Sequence, residues 1–471
     1  MDIYDIIIIG GGPGGYNAAL AGARAGLKVL LAEQEKLGGV CLNEGCIPSK
    51  ALLYSAKLLE GASQGEKYGL TVEKASLDQG KVIDRKNKVV RTLVSGVKGA
   101  LKEAGVTLVM GQGQLLPKTG AAFAVQIGEQ QYLSKNVILA AGSRPLLPPI
   151  PGLRQQREKG FVLTSKELLD LRQIPASLVV IGGGVIGLEM ACYYNAVGAR
   201  VTVIEMLPKI GGQIDGDIAA LLQKNLEKKG IVFHLAAKVT EITEGAVVYE
   251  KEGETHSLPA GQVLASLGRE PNTADLGLTE LGVAMAGKAV VTDDWLRTNI
   301  PGMYAVGDIN GKVMLAHTAY WEGERAVKDI LGHEKQRGEA ASGAEASTSA
   351  VADYSMIPGV IYTNPEVAWV GQSGDLTAEQ EQRFYTQTIS MRFSGRYLAE
   401  NEGGDGICKL VLDKEDQSLV GVHMIANHSA EAITAAAILV HQKAAVQEIK
   451  DYIFPHPSLS EILREGIHSL K

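Results

Sequence analysis

A glycine-rich turn between an apolar strand and a helix occurs twice in the 471-residue chain. The first turn follows four isoleucines at 6–9, and the second follows the apolar residues at 178–181. Each continues into a helix-like stretch and a second strand that ends in an acid, Glu33 or Glu205, placed 23 residues after the first glycine. Repetition of a whole unit is far more restrictive than one short motif. The repeat predicts an α/β fold with two Rossmann-like domains.

The chemistry of such a turn points to dinucleotide binding. The first glycine permits the tight turn, the second lets the backbone approach a pyrophosphate, and the third allows close helix–strand packing. The helix N-terminus faces the phosphates, and the acid accepts hydrogen bonds from ribose hydroxyls. We therefore expect two dinucleotide sites, formed by Gly10, Gly12, Gly15 and Glu33 in the first and by Gly182, Gly184, Gly187 and Glu205 in the second.

Composition and charge exclude several classes of protein. The net charge is −7 and there is no basic block, so we expect no nucleic-acid partner. We find no charge-free apolar run long enough to span a bilayer, and Asp2 and Asp5 stand where a secretory signal carries positive charge. Four cysteines in so long a chain do not make a disulfide framework. These features predict a cytoplasmic protein with no membrane partner, and we predict no metal site.

Cys41 and Cys46 are a candidate redox pair. They lie among glycines directly after the first turn unit, and Lys50 follows four residues later. A helix dipole and this lysine would lower the pKa of a thiolate. The alternative is a pair of buried structural cysteines, which the glycine-rich context disfavours. Cys192 and Cys408 lack such a context and are interpreted as ordinary core or surface cysteines.

Two segments in the second half of the chain carry weaker signals. Glu461 stands five residues after His456, and a carboxylate that orients an imidazole makes it a stronger base. An ordinary surface histidine is the alternative. Asp308 follows a strand expected at 303–306 and Gly307, where an acid beside a Rossmann unit can bind a sugar-alcohol chain. A turn cap is the alternative for this aspartate.

The remaining pattern divides the chain into parts. Prolines at 145, 148, 149 and 151 indicate a domain boundary, and residues 333–353, rich in Ala, Ser, Gly and Glu, indicate an exposed linker. Further strands are expected at 28–33, 136–140, 200–205, 262–267, 409–412 and 419–424, and a helix at 430–443.

Taken together, these residues resemble the pyridine nucleotide-disulfide oxidoreductase family, and within it the dihydrolipoamide dehydrogenases, over nearly the whole chain. Four segments in family order carry the resemblance: Cys-Leu-Asn-Glu-Gly-Cys-Ile-Pro-Ser-Lys at 41–50, Gly-Arg-Glu-Pro-Asn at 268–272, Leu-Ala-His-Thr-Ala at 315–319, and the segment around His456.

The resemblance implies an enzyme with two cofactors, FAD and NAD, and a C-terminal α+β interface domain through which it forms a homodimer. Its expected partners are lipoyl-bearing carrier proteins, whose dihydrolipoyl groups it would oxidise. The implied domains are 1–147 (FAD-binding, first part), 148–269 (NAD-binding), 270–350 (FAD-binding or central, second part) and 351–471 (interface).

The resemblance also implies roles for individual residues. The implied catalytic set is Cys41, Cys46, Lys50, Glu189, His456 and Glu461, with Glu189 similar to the acid that pairs with the flavin-side lysine. The implied FAD site is Gly10, Gly12, Gly15, Glu33, Gly39, Lys50, Gly113, Ser143, Asp308 and Ala316. The implied NAD site is Gly182, Gly184, Gly187, Glu205, Val239 and Gly268. Glu205 would repel the 2′-phosphate of NADP⁺, although Lys209 lies nearby in the sequence.

The chain departs from the family pattern at a few positions. Val40 and Ala141 replace residues that are commonly threonine, and Phe454-Pro455 precedes His456 where a small residue and a histidine are more usual.

Three other functions are alternatives. A glutathione reductase would carry basic residues at the position of Glu205 and use NADPH. A mercuric reductase would lack the His/Glu pair and add cysteines near the C-terminus, but none follows Cys408. A flavin-bearing structural subunit would lack a redox residue, and none is missing.

Overall fold

A computed structural model of the chain describes residues 3–120, 122–338 and 353–470. They form two compact units, each assembled from three stretches of sequence. The first unit takes Met1–Ala51, Asp84–Leu146 and Gly268–Ala352, and the second takes Leu52–Ile83, Leu147–Leu267 and Asp353–Lys471. The change of unit after Leu146 falls inside the proline-rich stretch.

The first unit is built on a seven-stranded sheet. Its central strand, Ile3–Ile9, runs parallel to Val29–Glu33 on one side and to Gln130–Leu139 on the other. Isoleucines 6 and 8 enter one hydrophobic core and isoleucines 7 and 9 enter another, because side chains alternate between the faces of a strand. Burial on both faces explains the unbroken apolar run.

Helices and outer strands complete the first unit. Helices Pro13–Arg24 and Ala316–Gly338 pack closely, since a side chain on Gly323 would come within 2.6 Å of the carbonyl oxygen of Gly14. The other elements are the strands Thr107–Met110, Gly113–Thr119, Ala122–Ile127, Ser143–Pro145, Arg269–Pro271, Met285–Ala286, Ala289–Val290 and Met303–Ala305, the helix Gly39–Glu44, and the 3₁₀ helix Gly307–Asn310. Helices Cys46–Ser63 and Gln79–Glu103 have residues in both units.

The second unit contains a parallel sheet of five strands in the order Val232–His234, Arg200–Ile204, Ser177–Ile181, Gln262–Ala265 and Val162–Leu163. A small antiparallel sheet of Lys238–Thr243, Ala246–Lys251 and Glu254–Pro259 accompanies it. The C-terminal part forms an antiparallel sheet of Gly359–Ile361, Glu366–Gly371, Leu419–Ala426, Ile407–Asp413 and Phe384–Ser390, against which helix Ser429–His441 packs.

Short helices complete the second unit: Leu153–Glu158, Ser165–Leu168, Val185–Ala196, Gly216–Lys228, Gln380–Arg383, Gly395–Glu400, Val446–Lys450 and Glu461–His468, with 3₁₀ turns at Gly65–Tyr68, Tyr354–Met356 and Met391–Phe393. Within the described parts of the chain, none of the helices combines the length and apolar character needed to cross a bilayer.

The predicted strands and the C-terminal helix are confirmed, with ends that differ by a few residues. The interpretation of residues 333–353 as a linker is wrong at its start, because helix Ala316–Gly338 continues through residues 333–338. Glu, Lys, Gln and Arg are strong helix formers, so the helix continues past the point at which composition alone predicted a linker. Residues 339–352 lie outside the described residues.

The central strand of the C-terminal sheet buries a histidine that gives a testable pH dependence. His423 is 2% exposed, and its Nε2 lies 2.8 Å from the carbonyl oxygen of Gln372. Burial lowers the pKa of His423, an effect strengthened by Lys409 and opposed by the Gln372 hydrogen bond, Asp215 and Asp375. The native state therefore holds this ring neutral under conditions in which the unfolded chain takes up a proton.

We expect this histidine to weaken the fold in mild acid. The stability it contributes is fully present above the unfolded pKa of about 6.5 and is lost as the pH falls below it, by up to about 1.4 kcal/mol per pH unit. Urea unfolding at pH 7.5, 6.5 and 5.5 should show a steeper loss of unfolding free energy for the wild type than for H423Q. Parallel pH profiles for the two proteins would contradict this.

Candidate functional site

The first glycine turn has no room for side chains at two of its positions. Gly10 has a φ of 111°, and a Cβ there would lie 2.2 Å from the carbonyl oxygen of Ala140. A Cβ on Gly15 would lie 1.8 Å from the carbonyl oxygen of Gly10. A Cβ on Gly12 would meet only the Cα of Gly39, 3.8 Å away, which is an ordinary van der Waals distance.

The second turn repeats this geometry. Gly182 has a φ of 107°, and a Cβ there would lie 2.1 Å from the carbonyl oxygen of Ser266. A Cβ on Gly187 would lie 2.1 Å from the carbonyl oxygen of Gly182, whereas Gly184 has no such neighbour within 4 Å. A middle glycine that no atom crowds, at a helix N-terminus, lets a pyrophosphate approach the backbone, so both turns fit a dinucleotide.

The two acids brace their turns in the same way. Glu33 accepts hydrogen bonds from the Gly11 and Glu35 N–H groups, both at 2.7 Å. Glu205 accepts from the Gly183 N–H at 2.6 Å and from the Leu207 N–H at 2.8 Å. Each carboxylate oxygen holds one backbone donor and keeps lone-pair capacity for a ribose hydroxyl.

The two cysteines lie on consecutive helices beside the first turn. Cys41 is on Gly39–Glu44 and Cys46 begins Cys46–Ser63. The Asn43 amide donates to the carbonyl oxygens of Leu37 at 3.0 Å and Gly39 at 2.9 Å, which fixes the cysteine-bearing segment. A Cβ on Gly39 would lie 2.7 Å from the Cα of Gly12, so this segment packs directly on the first glycine turn.

The electrostatics of the two thiols differ from the sequence prediction at one position. The two sulfurs are not joined by a disulfide in the structure. The hydrogen bond with Cys46, followed by burial, raises the pKa of Cys41, and the Lys50 charge only partly opposes this. The expectation of a lowered pKa is therefore wrong for Cys41 in the dithiol state, because a neighbouring thiol outweighs the lysine. Burial raises the pKa of both Cys192 and Cys408 to about 12, in keeping with unreactive cysteines.

Asp308 lies in a polar cluster with a residue that sequence reasoning missed. Ser143 Oγ donates to Asp308 in a short hydrogen bond. Arg269 donates to Ser143 through Nε at 2.7 Å and through Nη2 to the carbonyl oxygen at 2.8 Å. Burial lowers the pKa of Arg269, and Asp308 opposes this shift. Arg269 stands in the Gly-Arg-Glu-Pro-Asn loop, which was the only signal for it.

Two tyrosines near the dithiol were also missed. The Tyr16 hydroxyl donates to the Tyr320 hydroxyl at 3.0 Å, across the crossing of helices Pro13–Arg24 and Ala316–Gly338. Both phenols interact electrostatically with Cys41 and Cys46, and burial raises the pKa of both. No sequence spacing could have indicated this pair, because its members are 304 residues apart.

The other residues predicted for the first dinucleotide site also belong to the first unit. Gly113 begins the strand Gly113–Thr119, and a Cβ on it would lie 3.1 Å from the side chain of Ile9. Ala316 is the first residue of its helix. Lys50 follows Cys46 by one turn of helix Cys46–Ser63, and its Nζ lies 3.3 Å from Ser49 Oγ.

The second unit holds the remaining candidates. His456 Nδ1 lies 2.8 Å from Glu461 Oε2, and the His456 side chain is 77% exposed while that of Glu461 is 9% exposed. Glu189 is buried and accepts a hydrogen bond from the Tyr362 N–H at 3.1 Å. Val239 is a buried residue of Lys238–Thr243. Gly268 falls in the first unit, apart from the other residues predicted for the NAD site.

Comparison with known families identifies the chain. The sequence model of pyridine nucleotide-disulphide oxidoreductases matches residues 4–323, and the model of the dimerisation domain of these enzymes matches residues 357–467. The chain belongs to the pyridine nucleotide-disulphide oxidoreductase family. It is therefore an oxidoreductase, and FAD and NAD are its family's cofactors. The matched dimerisation domain supports a homodimer.

Curated relatives match the chain from end to end. A dihydrolipoyl dehydrogenase of Geobacillus stearothermophilus is 36% identical over 98% of this chain and 95% of its own length. One from Mycoplasma pneumoniae is 34% identical over 98% and 97%. Both relatives are similar to this chain across both of the domains matched by the family models.

Solved structures support the fold. LpdA from Mycobacterium tuberculosis superimposes with a TM-score of 0.88 over 99% of each chain at 24% identity. The HOCl-induced flavoprotein disulfide reductase RclA from Escherichia coli, solved as a Cu(II) complex, superimposes with a TM-score of 0.83 over 100% of each chain at 26% identity. In this chain, among the residues that are described, no group of three or more His, Cys, Asp or Glu side chains could hold a metal ion.

Proposed function

We propose that this enzyme is a dihydrolipoamide dehydrogenase. It oxidises dihydrolipoyl groups carried by a partner protein and reduces NAD⁺ to NADH. Its carriers would be the dihydrolipoyl acyltransferases of 2-oxo acid dehydrogenase complexes or the carrier of the glycine cleavage system. The observation that carries the proposal is that the cysteine pair, two acid-braced glycine turns and the His456–Glu461 pair occur together in a chain similar to dihydrolipoyl dehydrogenases over its whole length.

Each cofactor has a candidate set of residues. FAD would bind at the first turn and the polar cluster, through the residues Gly10, Gly12, Gly15, Glu33, Gly39, Lys50, Gly113, Ser143, Asp308 and Ala316. NAD would bind through Gly182, Gly184, Gly187, Glu205, Val239 and Gly268, with Glu189 as the acid partner of Lys50. When bound, FAD carries two electrons from the cysteine pair to NAD⁺, which accepts them as a hydride.

The first step opens the oxidised Cys41–Cys46 disulfide. His456 Nε2 takes a proton from one substrate thiol, because only a thiolate attacks a disulfide. The hydrogen bond from Nδ1 to Glu461 orients the ring and stabilises the imidazolium. The substrate sulfur bonds to Cys41, the bond between the two cysteines breaks, and Cys46 leaves as a thiolate.

The second step releases the product. The remaining substrate thiol attacks the substrate sulfur that is bonded to Cys41, so that the cyclic lipoyl disulfide forms. The Cys41 sulfur leaves and receives the proton of that second thiol, while His456 keeps the proton taken in the first step. Two electrons have then passed from substrate to protein. The raised pKa of Cys41 is consistent with Cys46 carrying the negative charge of the reduced pair.

The domain roles follow from this proposal. We assign FAD binding to 1–147 and 270–350, NAD binding to 148–269, and the subunit interface to 351–471. A cytoplasmic location stays a prediction from the sequence.

The proposal is tested by assaying the purified protein with four electron-transfer pairs. We expect NAD⁺ reduction by dihydrolipoamide to exceed NADPH-dependent reduction of oxidised glutathione and of Hg²⁺ by at least about a hundredfold in kcat/KM, since only the lipoyl reaction uses both the His–Glu pair and Glu205. The fourth pair is dihydrolipoamide with NADP⁺ in place of NAD⁺. Preference for glutathione or Hg²⁺, or no turnover of dihydrolipoamide, would contradict the proposal.

A further inference from the structure

The loop between Glu205 and helix Gly216–Lys228 is anchored by an acid from the C-terminal part of the chain. Lys209, the only basic residue from 205 to 215, directs its Nζ to the carbonyl oxygen of Ile214 at 2.6 Å and to Asp375 Oδ2 at 3.2 Å. Asp375 also accepts from the Gly216 N–H, with both carboxylate oxygens at 2.9 Å. A residue 166 positions further along the chain therefore holds the side chain of Lys209.

This contact bears on the choice between NAD⁺ and NADP⁺. The loop begins at Glu205, whose carboxylate is braced by Gly183 and Leu207, and it returns to the glycine turn where the Gly211 N–H donates to the carbonyl oxygen of Gly183 at 2.8 Å. A 2′-phosphate bound beside Glu205 would need a cation to offset the like charge. Lys209 is the basic residue of this loop, and Asp375 neutralises the charge of its ammonium group.

We propose that Asp375 is a specificity-determining residue that excludes NADP⁺ by holding Lys209 away from the adenosine 2′ position. The inference rests on the proposed role of Glu205 in NAD binding. Discrimination then has two parts, a carboxylate that repels the 2′-phosphate and a lysine that is prevented from attracting it. Burial acts to raise the pKa of Asp375, but the Gly216 hydrogen bond and Lys209 together outweigh it and lower that pKa, so the acid is charged at neutral pH.

The test compares two nucleotide fragments on the holoenzyme. Isothermal titration calorimetry measures the affinity for adenosine 2′,5′-bisphosphate relative to adenosine 5′-monophosphate in the wild type, D375N, K209Q and the double variant. Exposed lysine–carboxylate pairs are worth about 0.2–1 kcal/mol, so D375N should raise this ratio up to about fivefold. K209Q alone should change the ratio little, and it should remove the gain in the D375N background. The kcat/KM ratio for NADP⁺ over NAD⁺ should follow the same order.

A matched control separates the local effect from net charge. D405N removes one negative charge from another surface ion-pair cluster, where Asp405 lies 3.5 Å from Lys224 and 3.4 Å from Lys228. It should leave the ratio unchanged. D375N keeps an oxygen that can accept from Gly216, and D375S repeats the test with a different side chain.

Three results would overturn the inference. The first is an equal change of the affinity ratio in D375N and D405N. The second is an increased ratio that persists in D375N/K209Q. The third is an unchanged ratio in both Asp375 variants while the 5′-monophosphate still binds. If the 5′-monophosphate fails to compete with NAD⁺ in the wild type, the NAD assignment of this turn is itself wrong and the role of Asp375 falls with it.

Discussion

Replacing Cys46 with serine is expected to abolish dihydrolipoamide-dependent NAD⁺ reduction, with a loss on the order of a thousandfold or more. Without this sulfur the Cys41–Cys46 disulfide cannot form, so a substrate thiolate at Cys41 has no bond to break. Cys41→Ser should cause an equal loss. The measurement is the steady-state rate with saturating dihydrolipoamide and NAD⁺, on protein with full FAD content.

The two serine variants should differ in their spectra. As purified, Cys41→Ser should show a long-wavelength absorption band, because the remaining Cys46 thiolate would donate charge to the bound flavin, whereas Cys46→Ser should show none. C408A is the matched control, since burial keeps that thiol protonated, and it should retain activity within about twofold. Spectra in the reverse order would exchange the roles of the two cysteines. Substantial activity in either serine variant would remove the pair from the mechanism.

A mixed dimer of two inactive variants, Cys46→Ser and His456→Ala, should recover up to about half of the wild-type activity per dimer. The expectation follows from the dimerisation domain matched by residues 357–467, which contains His456, and from the placement of the cysteines outside it. If each cysteine pair is served by the histidine of the other subunit, the mixed dimer has one site with both defects and one with neither.

The experiment isolates the mixed dimer through two different affinity tags and assays dihydrolipoamide oxidation. The matched control is a mixed dimer of Cys41→Ser and Cys46→Ser, in which both cysteine pairs are broken whatever the subunit arrangement, and it should stay inactive. A Cys46→Ser/His456→Ala dimer as inactive as this control would show that the base acts within its own chain or is another residue.

Sequence alone determined the features that depend on short spacing. The two turns could be predicted because a side chain at Gly10, Gly15, Gly182 or Gly187 would overlap backbone atoms that lie close by for any strand–turn–helix unit. The His456–Glu461 pair joins residues only five positions apart. The redox pair and its lysine occupy ten consecutive residues, so local geometry limits where they can lie.

Tertiary structure alone decided the contacts between distant residues. Arg269 reaches Ser143 across 126 residues, and Lys209 meets Asp375 across 166. The direction of the Cys41 pKa depended on its hydrogen bond to Cys46 and on burial, neither of which a sequence displays. Hydrogen bonds and charge interactions act over a few ångströms in space, and separation along the chain does not report that distance until the chain has folded.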